Sequence, residues 1–131
     1  MNEIVTSSEL APPVGFAHAV VAGPGRTVYL GGQTAQDTTG AIVGTTIVEQ
    51  FDQACGNVAA ALRAAGGQPS DLVSLVIYVT DLEAYRGSLK ELGRAHRRHF
   101  GRHYPAMALF GVTGLFDPAA MVELVGVAVV G

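Results

Sequence analysis

Glu123 is the residue of this sequence whose type and surroundings point most clearly to chemistry. It lies inside an apolar run, between Val122 and Leu124. Burying an unpaired carboxylate is costly, so such a group finds a hydrogen-bonding partner, takes up a proton or faces a cleft open to water. Three roles follow: a structural pair with a backbone amide or an arginine, a general acid or base that holds a water molecule, and an ordinary exposed position.

A basic segment, RAHRRHFGRH, spans residues 94–103 and combines four arginines with three histidines. Its possible roles are a solvated helix face, a phosphate or RNA contact, and a metal site formed by His96, His99 and His103. The net charge of −3 and the lack of a set of stacking aromatic residues argue against RNA. Gly101 argues against the metal site, because we expect it to end the helix before His103.

The remaining candidate residues favour structural roles. Cys55 lies beside Ala54 and Val58 on an apolar stripe, which is typical of a buried, inert thiol. His18 lies in an apolar run, which is typical of a satisfied core histidine. The glycines of AGPGR and LGGQ lack the spacing of a phosphate-binding loop. The sequence therefore predicts neither a metal site nor a cofactor.

The composition predicts one folded unit that associates with itself. A chain of 131 residues is long enough to bury its own core as a single domain. Residues 1–13 read as an extended N-terminal segment, with Thr6–Pro13 as the only candidate linker. Charged residues make up 15% of the chain and apolar residues 49%, so we expect part of the surface to be covered in an oligomer.

The same composition predicts a cytoplasmic location. The single cysteine excludes a disulfide framework, and the opening MNEIVTSSELAPP has neither the basic nor the apolar region of an export signal. The longest apolar stretch, LVGVAVVG, is too short to span a bilayer.

Two helices are predicted. Thr46 and Glu49 match a capping box, and apolar residues then recur at spacings of three and four until Gly66-Gly67. Asp81 is expected to cap a second helix that continues to about Phe100.

Five strands are predicted from β-branched and apolar runs: Ala17–Val21, Thr27–Gln33, Leu72–Val79, Ala106–Val112 and Met121–Val130. The turn signal AGPGR between the first two predicts an opening hairpin. The last strand is apolar on both faces, which predicts a central place in the sheet. The order β-β-α-β-α-β-β indicates an α+β fold with one mixed sheet and two helices on one face. We expect a second copy of the chain to cover the other face.

Six segments in order resemble the reactive-intermediate deaminase family, RidA, also called YjgF. They are GFAHAV, VYLGGQ, EQFDQACGNVAAALRAAGG, DLVSLVIYVTDLEAY, HFGRHYPA and VELVGVAVV, and they span nearly the whole chain. The resemblance implies a chorismate-mutase-like α+β fold, assembled as a homotrimer with the sheets packed inward into a barrel. It also implies three clefts between neighbouring subunits, each a candidate binding site.

The resemblance also implies a chemistry. Family members of the deaminase type hydrolyse enamine and imine intermediates to 2-keto acids and ammonia. They hold the substrate carboxylate with an arginine in a PAR motif, through a bidentate ion pair. The matching stretch here ends in Met107 rather than arginine. Arg98 or Arg102 of a neighbouring subunit is a candidate replacement.

Other motif positions differ as well. Phe16 stands where a tyrosine is typical, Gly31 where a serine is typical, and Leu109 where a cysteine or similar residue is typical. Glu123 matches the first carboxylate of the typical VEIE strand. We therefore predict Glu123 as the acid or base, in a cleft whose substrate-binding residues are Phe16, Gly31, Gly32, Met107 and Leu109.

Three functions are compatible with these residues. The first is a hydrolase or deaminase of a small, mostly apolar imine, enamine or related reactive metabolite, with weak or no activity on 2-imino acids. The second is a trimer that binds a small ligand without catalysis. The third, less favoured, is RNA binding with endoribonuclease activity.

Overall fold

The computed structural model describes all residues, 1–131. Its elements, in chain order, are β1 (Glu3–Val5), β2 (Ala19–Val21), β3 (Arg26–Tyr29), α1 (Ile47–Ala64), a 3₁₀ turn (Pro69–Asp71), β4 (Leu72–Val79), α2 (Leu82–Arg86), α3 (Leu89–Phe100), β5 (Ala106–Gly111) and β6 (Val122–Val130). No helix has both the length and the apolar character that a membrane crossing requires.

The main sheet has four strands in the order β3-β6-β4-β5. β4 and β5 run parallel, whereas β6 runs antiparallel to both β3 and β4. This arrangement confirms the predicted α+β class, the mixed sheet and the central place of the last strand. β5 is an edge strand, so one side of its backbone is free of strand partners in the main sheet.

The first helix forms as its capping residues predict. The Thr46 hydroxyl accepts a hydrogen bond from the Glu49 backbone N–H at 3.2 Å, and the Glu49 carboxylate accepts one from the Thr46 N–H at 3.1 Å. These bonds satisfy two backbone donors that the helix start leaves unpaired. The helix ends before Gly66, whose φ of +84° is a conformation that glycine adopts at little cost.

The predicted opening hairpin is wrong. β2 pairs with β1, with Glu3 opposite Val21, whereas β3 pairs with β6 in the main sheet. The turn between β2 and β3 is tightly packed: a Cβ at Gly23 would lie 2.3 Å from the Met1 carbonyl oxygen, and one at Gly25 would lie 2.4 Å from the Val130 carbonyl oxygen. The turn therefore carries the chain from one sheet to the other instead of reversing it within one.

The second predicted helix is also not continuous. Asp81 caps α2 as expected, because its side chain accepts from the Ala84 N–H at 3.0 Å. The helix then breaks at Gly87 and Ser88, and α3 begins at Leu89. Glycine and serine are both weaker helix formers than alanine, so this pair is a natural place for a break. The chain therefore has three helices rather than the two predicted.

The two faces of the main sheet have different surroundings. The helix face carries the core, in which Leu75, Ile77 and Leu124 are buried with side chains of α1 and α3. The opposite face, here called the open face, has no helix on it. Every second side chain of each strand points to this face. Among them are Val76, Tyr78, Val125 and Val127.

Candidate functional site

A concave groove lies between β5, the helices α2 and α3, and residues 14–16. We call it the β5 groove. Its volume is about 990 Å³, which suits a small organic molecule. Thirteen of its nineteen lining residues are hydrophobic, among them Phe16, Leu92, Met107 and Leu109.

Three of the predicted site residues meet in this groove. Met107 lies opposite Leu75, and Leu109 lies opposite Ile77, so both side chains are on the helix face. Phe16 reaches the groove because Ala17 bridges Ala106, and the Ala17 N–H donates to the Pro105 carbonyl oxygen at 3.0 Å. The groove wall formed by these three residues carries no charge.

The other three predicted residues lie elsewhere. Glu123 is opposite Tyr78 on the open face, half-buried, and takes part in no ion pair of the chain. A Cβ at Gly32 would lie 2.0 Å from Glu123 Oε2, so the carboxylate occupies the space that a side chain there would fill. Gly31 has no atom of the chain within 4 Å of its Cβ position.

An aromatic row continues from Glu123 across the open face. Tyr78 stacks on Phe110, with ring centroids 6.0 Å apart and ring planes at 26°. Phe110 is 52% exposed, and Tyr29 at the other edge of the sheet is 81% exposed. Large exposed aromatic residues beside valines are unusual on the surface of a monomer and indicate a contact surface.

The β5 groove also contains polar groups that the sequence interpretation did not assign to the substrate site: Tyr85, His96 and Arg97. His96 is only 5% exposed. Its ring stacks on Tyr104, with centroids 4.5 Å apart and planes at 4°. The signal for His96 was available, because it follows Leu89 and Leu92 at spacings of three and four and so continues the inner stripe of α3.

The protonation of His96 follows from its surroundings. Its Nε2–H donates to the His103 carbonyl oxygen at 2.8 Å, which fixes the tautomer because a carbonyl oxygen only accepts. Burial lowers the pKa of His96; the hydrogen bond to the His103 carbonyl oxygen opposes this shift in part, and the nearby basic side chains of His103 and Arg97 add to it. At neutral pH the ring is therefore neutral, with an unprotonated Nδ1.

Burial also raises the pKa of Tyr85, so that its hydroxyl stays protonated and can donate. Burial and the nearby Asp52 carboxylate raise the pKa of Cys55, a fully buried thiol, as expected for an inert residue.

His18 is not a core histidine, contrary to the prediction. It is half-exposed, accepts a hydrogen bond from the Ser7 N–H at 3.0 Å and donates one to the Ala11 carbonyl oxygen at 2.8 Å. It ties down the N-terminal segment.

The side chains of the basic segment bind different partners within the chain. Arg98 and His99 both bind the Asp52 carboxylate of α1, with His99 Nε2 at 2.9 Å from it. His103 donates from Nε2 to the Leu72 carbonyl oxygen at 2.8 Å. The three histidines considered as metal ligands therefore bind three different partners. Arg97, rather than Arg98 or Arg102, is the arginine of this segment that lines the β5 groove.

Comparison with known proteins decides the family. The family model described as Endoribonuclease L-PSP matches residues 6–130. A RutC family protein, y4sK, from Sinorhizobium fredii is 30% identical over 126 residues, which cover 95% of this chain and 94% of the relative. A 2-iminobutanoate/2-iminopropanoate deaminase from Capra hircus is 26% identical over 133 residues, which cover 100% and 92%. The chain belongs to the RidA/YjgF family.

Solved structures of this family share the fold. YyfB from Yersinia pestis, described as a Rid family protein of unknown function, has a TM-score of 0.88 at 28% identity, with 98% of each chain covered. A YjgF-family protein from Mycobacterium tuberculosis is 33% identical with a TM-score of 0.66, over 99% of this chain and 100% of that one. RidA from a Psychrobacter species has a TM-score of 0.70 at 27% identity, over 97% and 98%. The expected RidA-type fold is confirmed.

In this RidA-family chain the residues at the motif positions form two groups on opposite faces of one sheet. Phe16, Met107 and Leu109 line the β5 groove beside the helix face, whereas Glu123 and Gly32 lie together on the open face. A single chain therefore does not bring its groove and its candidate acid or base to one place.

Proposed function

We propose that the protein is a homotrimer whose open faces pack together, and that each site combines the β5 groove of one chain with Glu123 of a neighbour. The exposed aromatic rings of Tyr29 and Phe110 support burial of the open face. The observation that carries the proposal is the placement of Glu123 and the groove on opposite faces of the sheet. Association between chains is the arrangement that joins them.

The reaction that such a site supports is hydrolysis of a small, mostly apolar imine or enamine. Glu123 accepts a proton from a water molecule while the water oxygen bonds to the imine carbon, and the C=N π electrons move to nitrogen, which takes up the proton from Glu123. In the resulting carbinolamine Glu123 moves the hydroxyl proton to the amine nitrogen, the C–N bond breaks with its electron pair leaving on ammonia, and the C–O bond becomes a carbonyl. The products are a ketone or aldehyde and ammonia, and Glu123 returns to its starting state.

The groove wall sets the substrate preference. Met107 and Leu109 provide apolar contact and no charge at the position where the deaminase-type motif has its arginine. A charge-assisted hydrogen bond contributes about 1.5–3 kcal/mol, so its absence weakens binding of a 2-imino acid roughly ten- to hundredfold. We therefore propose weak or no activity on 2-imino acids and a preference for imines without a neighbouring carboxylate.

The test compares two substrates generated in situ, 2-aminoacrylate and an aliphatic ketimine that has no carboxylate. We expect acceleration of ketimine hydrolysis and little acceleration with 2-aminoacrylate. Glu123→Gln should lower the ketimine rate by roughly 10²–10⁴, the usual contribution of a general base. Glu3→Gln, which changes a carboxylate of the separate β1–β2 sheet, is the matched control. Unchanged turnover in Glu123→Gln would contradict the proposal.

A ligand-binding trimer without catalysis is the second candidate. It is favoured by the isolation of Glu123, which forms no ion pair within the chain. Under this alternative, ligands bind in the groove but no imine is hydrolysed faster than in buffer. Detection of turnover that depends on Glu123 would exclude it.

RNA binding is less favoured. Arg98 is held by Asp52 and Arg97 lines the β5 groove, so the arginines of the basic segment have different surroundings. RNA affinity that falls steeply with added salt would support this role, because phosphate contacts release counterions. Salt-independent or absent binding would exclude it.

A further inference from the structure

His96 provides an unused hydrogen-bond acceptor in the β5 groove. Its Nε2–H is occupied by the His103 carbonyl oxygen, whereas Nδ1 has no partner in the chain. The chain has no fully enclosed polar side-chain atom without a partner, so Nδ1 retains some accessible surface, and His96 is one of the residues that line the groove. In an otherwise apolar wall, this lone pair selects for a ligand that has an O–H or N–H group.

The exposed end of the groove carries a positive charge, whereas His96 is a neutral hydrogen-bond acceptor. Arg97 lines the groove on α3, next to Gly93, and a Cβ at Gly93 would lie 3.4 Å from Arg97 Nη1. Arg97 is exposed and forms no ion pair, in contrast to Arg86 on the same rim, which binds Glu83 at 3.0 Å. Arg97 is therefore the groove's free cation.

We propose that the β5 groove binds an apolar acid of extended shape, whose buried end donates a hydrogen bond to His96 Nδ1 and whose carboxylate pairs with Arg97. The apolar side chains that line the groove enclose the body of the ligand. In such a ligand the carboxylate lies several bonds away from the buried end, unlike that of a 2-imino acid. This inference rests on the proposed function and specifies its substrate class: an aromatic or aliphatic acid with a remote reactive group.

The binding test uses three probes of nearly equal shape. Indole-3-acetate has an apolar ring, an N–H donor and a carboxylate. 1-Methylindole-3-acetate lacks the donor, and indole-3-acetamide lacks the charge. By calorimetry at pH 7.5 we expect indole-3-acetate to bind most tightly, with roughly a fivefold loss on methylation and roughly a tenfold loss on amidation. Failure of indole-3-acetate to bind at millimolar concentration overturns the proposal.

Two variants assign the preferences to residues. His96→Phe should abolish the preference for N–H over N-methyl, and Arg97→Gln should abolish the preference for the acid over the amide. Arg94→Gln changes an exposed arginine of the same helix outside the groove and should keep both preferences. Retention of both preferences in His96→Phe and Arg97→Gln would overturn the assignment.

A pH series separates a binding role of His96 from a structural one. Protonation of Nδ1 turns the acceptor into a donor, so the preference for indole-3-acetate over its N-methyl form should disappear as the pH falls. The ¹⁵N spectrum of the free protein gives a second readout, in which His96 should show a protonated Nε2 and an unprotonated Nδ1. A spectrum showing Nδ1 protonated at pH 7.5 excludes the proposed contact.

Failure of this inference and of the proposed function can be told apart. The binding preferences are measured with indole probes that contain no imine, so they are observed independently of turnover. Turnover without these preferences would refute the ligand class alone. The preferences without any turnover would refute the hydrolase and leave the groove's ligand class in place.

Discussion

The two faces of the central sheet divide the chemistry of this protein between them. The helix face and the adjoining β5 groove combine an apolar wall with a neutral His96 and a free Arg97. The open face has one carboxylate, Glu123, amid valines and exposed aromatic rings. The first region is complete as a pocket but has no carboxylate, whereas the second has a carboxylate but no pocket.

This difference shows how β-strand geometry limits what one chain can assemble. Successive side chains of a strand point to opposite faces, so Glu123 on β6 and Met107 on β5 stay apart however the side chains rotate. A site that needs both must draw them from two chains. The open face is therefore expected to be as important for activity as the groove itself.

The largest effect is expected from a charge on the open face. Val125→Lys should abolish self-association, because an unpaired ammonium group would be buried between chains. The chain itself should stay folded, since Val125 faces away from the helices. Sedimentation velocity would show monomers in place of the proposed trimers. Ala64→Lys, at the exposed C-terminal end of α1, is the control and should leave the trimer intact.

Two neighbouring residues of β4 provide the next test. Leu75→Ala should reduce the free energy of unfolding by about 2–5 kcal/mol, because Leu75 is fully buried on the helix face. Val76→Ala, on the open face, should change the unfolding of the single chain by less than about 1 kcal/mol and weaken association instead. Urea unfolding and sedimentation at equal concentrations would distinguish the two. Equal losses of folding stability would contradict the division into two faces.

Alanine substitutions at two neighbouring glycines, Gly31 and Gly32, test the placement of Glu123. Gly32→Ala puts a methyl group where Glu123 Oε2 lies, whereas Gly31→Ala enters open space. Displacement of a reacting group by about 1 Å can reduce the rate roughly a hundredfold, so Gly32→Ala should lower the ketimine rate ten- to hundredfold. Gly31→Ala should affect the rate much less. The same loss in both variants would mean that the methyl group acts through something other than Glu123.

The smallest effect is the contribution of His96 to the pH dependence of stability. Its pKa in the fold is lowered, so below about pH 6.5 the unfolded chain binds a proton that the folded chain does not. This contribution to stability is complete above that pH and decreases as the pH falls toward the folded pKa, by at most about 1.4 kcal/mol per pH unit. Urea unfolding of His96→Phe should show a shallower acid dependence than the wild type.

The local rules of the sequence account for much of the fold. The capping box at Thr46, the bounds Leu72–Val79 and the central place of β6 were all predictable, since each depends on hydrogen-bonding residues or hydrophobic patterns within a short stretch. The pairing of β2 with β1 was not. A three-residue strand carries too little pattern to specify its partner, and tertiary packing decides it.

The candidate site was only partly predictable for a related reason. The break at Gly87–Ser88 starts α3 anew, and the orientation of that helix determines which arginine of the basic segment reaches the groove. The sequence nominated Arg98 or Arg102 of a neighbouring subunit, which stays a prediction; within one chain, Arg98 is bound to Asp52 and Arg97 lines the groove. The positions of Phe16, Met107 and Leu109 in one groove depend on the bridge between Ala17 and Ala106, which joins distant parts of the chain.

The location of Glu123 between Val122 and Leu124 has a consequence beyond any reaction. A slip of β6 by one residue would turn every side chain of the strand to the other face, moving this carboxylate into the apolar core and the core residues Val122, Leu124 and Ala128 out of it. The central strand is otherwise so uniformly aliphatic that little else would distinguish the two alignments. Glu123 thus helps to specify the pairing register of β6 during folding, and a glutamine at this position would have the same effect.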